Sequence, residues 1–172
     1  MARKHILMLA ADGVQDQEFS EPLRTLEEDG HQVDVAAPDK GTITAKSGAT
    51  FQAPFSLAEI LERGLKGYEL LLLPGGKGPE VLMHKNSALE IVEAFQAAGK
   101  PIAAICHGTL LLARGADIQH RSIASPAGLS DEIRGGGGIW KDQSVVVDKN
   151  FITSRGPDDI PDFLREIQKA LS

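Results

Sequence analysis

The stretch that most constrains the fold of this chain runs from Lys100 to Arg114 and reads KPIAAICHGTLLLAR. Its short apolar run, Ile102 to Ile105, is typical of a strand buried on both faces. After Cys106 the chain continues with three small or polar residues, 107 to 109, and then with a leucine-rich run that favours a helix. The pattern predicts a strand that turns into a helix at a single cysteine, which is the geometry of a nucleophile elbow.

A cysteine at this turn has two interpretations. A lone cysteine in an apolar strand is commonly a small core residue. At a helix amino terminus, however, free N–H groups and the helix dipole stabilise the thiolate and lower the pKa of the thiol. Gly108 favours the second interpretation, because glycine is useful where another group must approach the backbone closely. We therefore expect Cys106 to be a nucleophile with a pKa below the model value of about 8.5.

The length and composition favour one domain spanning residues 1–172. The net charge of −6 and the pI near 5.3 argue against a general nucleic-acid binder. The single cysteine excludes an intrachain disulfide framework and fits a reducing compartment. The amino-terminal run is too short for a signal peptide, and no segment reaches the length of a membrane span. These features predict a cytoplasmic protein.

The order of elements predicts an α/β fold with a mainly parallel sheet and helices on both faces. Strands are expected at 5–10, 31–37, 70–73, 102–105, 122–125, 144–148 and 151–154, and a polar hairpin at 40–53. Helices are expected at 16–29 with Asp16 as the N-cap, at 56–65, at 87–98 behind a capping box from Ser87 to Glu90, at 129–134, and from Asp158 to the carboxyl terminus. Ligands of such folds bind at the carboxyl ends of the strands.

Several short motifs, spread over nearly the whole chain, together resemble one known group of proteins. They are Asp16–Pro22, Leu73–Gly76, Pro79–Glu80, Ala104–Gly108, Val145–Asp148 and Thr153–Asp159. The chain resembles the ThiJ/PfpI superfamily, which contains the parkinsonism-associated protein deglycase and the PfpI intracellular peptidases. It is most similar to the PfpI-like branch, which includes bacterial stress-induced deglycases.

The resemblance implies a flavodoxin-like three-layer sandwich, like that of class I glutamine amidotransferases, with Cys106 as nucleophile and Glu18 beside it. An acid that faces a thiolate can stay protonated and donate a hydrogen bond to the sulfur. Without the resemblance, Glu18 is explained equally by the helix dipole, which favours an acid in the first turn. His107 is expected to act as general acid or base beside Cys106.

The resemblance also assigns roles to the loops around Cys106. Backbone N–H groups of Gly75 and Gly76, together with those of His107 and Gly108, are expected to stabilise an oxyanion, although the two glycines alone would also make a plain tight turn. PfpI-like oligomers suggest that Glu80 of a neighbouring subunit orients the His107 ring. The alternative for Glu80 is a solvated loop charge. A homodimer or higher homo-oligomer is therefore expected.

Three further features lie outside the catalytic set: an arginine, a threonine and a glycine run. Arg155 either binds an anion near the pocket or pairs with a carboxylate at an interface, and we favour the pairing. Thr109 stands where family members often have proline, so the outline of the pocket rim differs. The glycine run 135–138 is expected to be a flexible surface loop. No metal site is expected, because the histidines lack ligand spacing, and no phosphate loop or dinucleotide fingerprint indicates a cofactor.

The sequence thus predicts a cofactor-free cysteine hydrolase that acts in stress protection on glyoxal or methylglyoxal adducts, or on free methylglyoxal. Its partners would be small carbonyl compounds or glycated proteins and amino acids, with nucleic acid only as a glycated substrate. One alternative is an intracellular cysteine peptidase of the PfpI type. An alternative of another class is a redox sensor or holdase chaperone, in which Cys106 serves by being oxidised.

Overall fold

The computed structural model describes residues 2–172. The strands are β1 (His5–Leu9), β2 (Gln32–Ala37), β3 (Gly41–Thr44), β4 (Thr50–Ala53), β5 (Phe55–Ser56), β6 (Leu70–Leu73), β7 (Ile102–Ile105), β8 (Ser122–Ala124), β9 (Ile139–Lys141), β10 (Val146–Asp148) and β11 (Phe151–Ser154). The α-helices are α1 (Asp16–Glu28), α2 (Leu57–Arg63), α3 (Gly78–Leu82), α4 (Asn86–Ala97), α5 (Gly108–Gly115), α6 (Ser130–Gly135) and α7 (Ile160–Leu171). Short 3₁₀ turns at Ala127–Leu129 and Pro157–Asp159 precede α6 and α7.

Seven strands form the central sheet, in the order β10-β11-β7-β6-β1-β2-β5. Only β10 runs antiparallel, through its pairing with β11. The two central strands β6 and β7 are fully buried, as their continuous apolar runs predict. The predicted mainly parallel α/β sheet is confirmed. The carboxyl ends of β1, β6, β7 and β11 meet at one edge, which is where parallel sheets bind ligands.

Helices cover both faces of the sheet and make two separate apolar layers. One layer packs α2, α4, α5 and α6 against the sheet. The other packs α1, α7 and the β3–β4 hairpin against the opposite face, where Phe19 of α1 stacks on Phe51 of β4 with ring centroids 4.3 Å apart. The result is the predicted three-layer sandwich, and Cys106 packs against the second layer.

The first helix starts where the sequence predicts it, but its cap differs. Gln15, not Asp16, is the N-cap, and its side-chain oxygen accepts the backbone N–H of Glu18 at 2.7 Å. The Asp16 carboxylate instead accepts the N–H and hydroxyl of Ser47 in the hairpin. Pro22 lies inside α1, which nevertheless continues to Glu28. The hairpin is thereby clamped to the start of α1.

The predicted capping box from Ser87 to Glu90 is wrong. Helix α4 begins at Asn86, and neither its N-cap Lys85 nor any side chain closes its first turn. A capping box occurs instead in α2, between Ser56 and Glu59. The same Ser-x-x-Glu pattern thus appears twice in the sequence and forms the box only once.

The glycine run begins at the last residue of α6 and lies at the surface, as expected, but close packing requires glycine at two of its positions. A Cβ on Gly136 or Gly138 would lie 2.9 Å from the side chains of Ile118 and Ile133, respectively, and Gly137 has φ +88°. The run leads directly into β9, which pairs with β8 and was not predicted. None of the helices in residues 2–172 combines the length and the apolar composition that crossing a bilayer requires.

Candidate active site

The junction between β7 and α5 is a strand-turn-helix with Cys106 at its apex. Cys106 has φ 57°, a left-handed conformation that is strained for a residue with a side chain. Its N–H donates to the carbonyl oxygen of Ser154 at the end of β11, at 3.0 Å. Its side chain remains partly exposed. The predicted turn from strand to helix at Cys106 is therefore confirmed, and it has the geometry of a nucleophile elbow.

The two residues that follow His107 fix the start of α5. Gly108 is buried against the end of β6, where a Cβ would overlap the carbonyl oxygen of Leu73. Thr109 is fully buried, and its hydroxyl donates to the carbonyl oxygen of Cys106 at 2.7 Å. The Thr109 hydroxyl therefore stabilises the turn at Cys106 from inside the protein and adds no polar group to the exposed rim of the site. Gly108 acts by allowing close packing.

Glu18 lies beside Cys106, as the resemblance implies. It is fully buried, and its Oε1 accepts the N–H of Gly75 at 2.9 Å. Its second oxygen, Oε2, is buried and accepts no N–H or O–H donor from residues 2–172, while the carboxyl group interacts with the Cys106 side chain. A carboxyl group in this position is suited to carry a proton on Oε2 and to present it to the sulfur.

Burial and mutual repulsion control the protonation of this pair. Burial raises the pKa of Glu18 to about 7. Burial, followed by the negative charge of Glu18, raises the pKa of Cys106 to about 11. The expectation that the pKa of Cys106 lies below about 8.5 is therefore wrong, first because the thiol is buried and second because Glu18 is negatively charged. Repulsion disfavours the doubly ionised pair, so a proton on Glu18 favours the thiolate form of Cys106.

Two backbone N–H groups oppose this rise. Those of His107 and Gly76 hydrogen-bond to the Cys106 sulfur and lower its pKa. Gly75 does not join them, because its N–H is already occupied by Glu18. The prediction that Gly75 supplies an oxyanion donor is therefore corrected: Gly75 positions Glu18. Gly76 and His107 provide the N–H groups that face the reacting atom.

His107 forms the predicted pair with Cys106. Its ring Nδ1 lies 3.4 Å from the Cys106 sulfur. Within residues 2–172, no carboxylate forms a hydrogen bond or ion pair with the ring. Glu80, the expected orienting acid, is exposed on the first turn of α3 and makes no such contact within its own chain.

Arg155 follows the end of β11 and is paired with carboxylates. Its guanidinium donates to both oxygens of Asp159 at 2.9 Å and to Asp142 at 3.0 Å. These bonds raise the pKa of Arg155. The favoured carboxylate pairing is confirmed, although both partners belong to the same chain. With its donors engaged in this way, Arg155 is poorly placed to bind a substrate anion.

Sequence reasoning missed the contribution of the β3–β4 hairpin to the site. Lys46, at the hairpin turn, lowers the pKa values of both Glu18 and Cys106 through its positive charge. Its N–H donates to the carbonyl oxygen of Val14 at 2.8 Å, and Val14 in turn bridges to Gly76. No local signal marks Lys46, because its role depends on the docking of the hairpin.

The residues of the site suggest acid–base and nucleophilic chemistry centred on one sulfur. In residues 2–172, no three His, Cys, Asp or Glu side chains are grouped so that they could hold a metal ion. A buried acid, a histidine and two backbone N–H donors converge on Cys106 instead. This set can add a thiolate to an electrophilic carbon and can move protons around the adduct.

Comparisons with known proteins agree with this geometry. Residues 4–170 match the model of the DJ-1/PfpI family. The chain is 36% identical over 166 residues to the deglycase PfpI of Pyrococcus furiosus. The aligned region covers 96% of this chain and 98% of that protein. It is 34% identical over 171 residues to protein/nucleic acid deglycase 2 of Escherichia coli, covering 98% of each.

A solved structure shows the same fold. It is a two-domain protein of Anabaena variabilis with DJ-1/ThiJ/PfpI-like and ferritin-like domains, with 27% sequence identity and a TM-score of 0.91. The match covers 98% of this chain and 50% of that one. The family model spans almost the whole chain, and the sequence relatives match over nearly their full lengths. This chain therefore belongs to the DJ-1/PfpI family.

Proposed function

We propose that this protein is a cysteine-dependent deglycase that releases glyoxal or methylglyoxal adducts from amino groups and thiols, and that also converts free methylglyoxal. The names of its relatives support the reaction class. The observation that carries the proposal is the convergence of the buried Glu18 carboxyl group and the His107 ring on the strained Cys106. This arrangement supplies a nucleophile and two groups that can transfer protons.

The reaction starts from an adduct in which an amine or thiol is bonded to the former aldehyde carbon of methylglyoxal. The Cys106 thiolate forms a bond to that carbon, the bond to the amine or thiol breaks, and the leaving group takes a proton. A hemithioacetal on Cys106 results. Free methylglyoxal reaches the same species by direct addition of the sulfur to its aldehyde.

The next step is an internal oxidation and reduction. A base removes the proton from the sulfur-bonded carbon, and a proton is delivered to the neighbouring ketone carbon, so that the first carbon is oxidised to a thioester and the second is reduced to an alcohol. Water then cleaves the thioester, giving lactate and free Cys106. The sum is adduct plus water to amine or thiol plus lactate, so no external oxidant is needed. Glyoxal gives glycolate by the same steps.

The geometry divides the proton transfers between two residues. Glu18, buried and with a raised pKa, exchanges a proton with the sulfur. His107, with Nδ1 3.4 Å from that sulfur and its ring partly exposed, serves the leaving group and the attacking water. The N–H groups of Gly76 and His107 stabilise negative charge at the reacting centre.

The proposal includes a shared site in a cytoplasmic homo-oligomer that protects against carbonyl stress, with residues 1–172 forming one domain. Glu80 is exposed, and no acid in the described part of the chain, residues 2–172, bonds to the His107 ring. A neighbouring subunit could bring its Glu80 to that ring. Closed symmetry would then create equivalent sites at each interface.

A substrate panel tests the reaction class. Wild-type protein and Cys106→Ala are incubated with methylglyoxal, with a methylglyoxal-glycated amino acid and with a fluorogenic peptide, and buffer reactions are subtracted. The proposal predicts lactate from the first two substrates with wild type only. Peptide cleavage without lactate formation would favour the intracellular peptidase. No turnover of any substrate, combined with ready oxidation of Cys106, would favour the redox sensor or holdase.

A further inference from the structure

The turn of the β3–β4 hairpin carries an unpaired cation whose charge acts on the reactive cysteine. The side chain of Lys46 is exposed and forms no ion pair with any residue from 2 to 172. Two lysines elsewhere in the described residues do form ion pairs: Lys40 lies 3.9 Å from Glu59, and Lys169 lies 3.1 Å from Glu166. An exposed, unpaired ammonium group beside a catalytic pocket remains available to a ligand.

The position of Lys46 is fixed by several bonds between the hairpin and the loop before α1. Gly13 donates its N–H to the Thr44 carbonyl oxygen at 2.8 Å, and the Asp12 carboxylate accepts the N–H of Thr44 at 2.9 Å. On the other side of Lys46, Ser47 donates its N–H to Asp16 at 3.1 Å. These bonds hold the residues on both sides of Lys46, so the turn cannot move away from the pocket without breaking them.

A short chain of backbone contacts connects Lys46 to the sulfur. The Lys46 N–H donates to Val14 at 2.8 Å, Val14 pairs with Gly76, and the N–H of Gly76 faces Cys106. The charge of Lys46 acts in the same pocket, because it stabilises the ionised forms of both Glu18 and Cys106. The Asp16 carboxylate, which accepts hydrogen bonds from the neighbouring residue Ser47, is not paired with Lys46.

We propose that Lys46 is the anion-binding part of this active site, and that it selects carbonyl adducts that carry a carboxylate over neutral ones. Such substrates are the adducts of free amino acids and other small acids, whose carboxylate reaches the ammonium group while the former carbonyl carbon lies at Cys106. The inference rests on the proposed function, because it names the substrate class of the same site. Lys46 is a specificity residue and takes no part in bond making.

The test compares two alkylating reagents at Cys106. Iodoacetate carries a carboxylate, and iodoacetamide is its neutral counterpart. With each, the sulfur bonds to the CH₂ carbon and iodide leaves with the bonding pair. Both react with the same thiolate, so the ratio of their rates does not depend on the pKa of Cys106 and reports the local preference for an anion. Mass spectrometry of the Cys106 peptide measures each rate.

Lys46→Met should lower the ratio of the iodoacetate rate to the iodoacetamide rate about threefold. This is the size of effect expected when one unit charge is removed near a partly exposed site. Lys46→Arg should preserve the ratio, and added salt should lower it in wild type more than in Lys46→Met. The matched control is Lys66→Met, which removes the same charge from an exposed position before β6, at the opposite end of the strands. It should leave the ratio unchanged.

A second measurement uses substrates. The methylglyoxal adducts of N-acetylcysteine and of its amide differ only by a carboxylate, and Lys46→Met should raise KM for the acid relative to the amide. An unchanged reagent ratio in Lys46→Met, or an equal fall in Lys66→Met, would overturn the inference while leaving the proposed function standing. If Cys106 resisted both reagents in wild type, the proposed function itself would fail, and the inference with it.

Discussion

Glu18 and Cys106 form a pair of acidic groups, and the nucleophilicity of Cys106 depends on which of the two carries the proton. With the proton on sulfur and the charge on Glu18, burial and repulsion make Cys106 a poor nucleophile. With the proton on Glu18, the thiolate loses that repulsion and faces the N–H groups of Gly76 and His107. The reactivity of Cys106 therefore depends on its burial and on the protonation of an acid that is distant in the sequence.

Replacing Glu18 by Gln should separate thiol reactivity from turnover. In Glu18→Gln the pKa of Cys106 should fall, because a negative charge is replaced by an amide that can donate a hydrogen bond to sulfur. Turnover should nevertheless fall strongly, because the amide cannot transfer a proton. Iodoacetamide rates against pH and lactate formation measure the two effects. Glu27→Gln, an exposed change in the same helix, is the control.

Either of two results would contradict this account of Glu18. An alkylation midpoint in Glu18→Gln that equals or exceeds that of wild type would mean that Glu18 does not repel the thiolate. Full turnover in Glu18→Gln would assign Glu18 to the helix dipole alone, the alternative that the sequence leaves open.

Glu18 should also make the stability of the fold depend on pH. In the folded protein the pKa of Glu18 is about 7, above the model value of 4.5. The contribution of Glu18 to the free energy of unfolding is therefore fully present below pH 4.5 and is lost as the pH rises through about 7. Between about pH 4 and pH 8 the wild type should therefore lose about 3 kcal/mol of unfolding free energy relative to Glu18→Gln, which has no group to ionise at this position. Urea unfolding of both proteins across this pH range measures the difference. A difference in unfolding free energy that does not change with pH would contradict the claim that Glu18 ionises while buried.

At the scale of elements, the junction between β7 and α5 depends on the approach of α5 to β6. Gly108→Ala would push a Cβ into the Leu73 carbonyl oxygen. We expect a loss of about 2 kcal/mol in unfolding free energy, typical of forced overpacking, and a fall in the reactivity of Cys106 as the elbow shifts. Urea unfolding gives the first quantity. Gly128→Ala is the control, since its Cβ would meet no atom within 4 Å; equal stability of the two variants would refute the packing argument.

The sequence predicts those elements whose evidence is local. Continuous apolar runs locate β6 and β7, and the single change of character at Cys106 locates the elbow. The cap of α1 is mispredicted because the Asp16 carboxylate bonds to Ser47, a residue that only the docked hairpin brings near. Gly75 is mispredicted for the same kind of reason, since its N–H is taken by Glu18. Lys46 leaves no local signal at all.

At the scale of the whole molecule, the proposed site would be completed by a residue of a second chain. Among residues 2–172 no carboxylate bonds to the His107 ring, and Glu80 is exposed at the start of α3. Val81, the neighbour of Glu80, is one of the few large apolar residues left exposed. A partner subunit that covers this surface would supply Glu80 to the His107 of its neighbour.

Mixing two weakened chains tests whether Glu80 acts in trans. Hetero-oligomers of Cys106→Ala and Glu80→Ala chains rebuild one intact site from the Cys106 of one chain and the Glu80 of the other. Activity should then exceed the sum of the two parents. Co-expression with two different tags and tandem purification yields the mixed species. Purified hetero-oligomers without any gain in activity would return Glu80 to the role of a solvated loop charge.

The most direct test of the account is to observe the covalent bond to Cys106. Glu18→Gln, which should react slowly, is mixed with methylglyoxal labelled with ¹³C at its aldehyde carbon and followed by ¹³C NMR. The account predicts a protein-bound resonance of a sulfur-bonded carbon that precedes labelled lactate and is absent from the Cys106→Ala/Glu18→Gln double variant. Lactate formation at an equal rate in the double variant, with no Cys106-dependent resonance, would contradict the claim that Cys106 is the nucleophile.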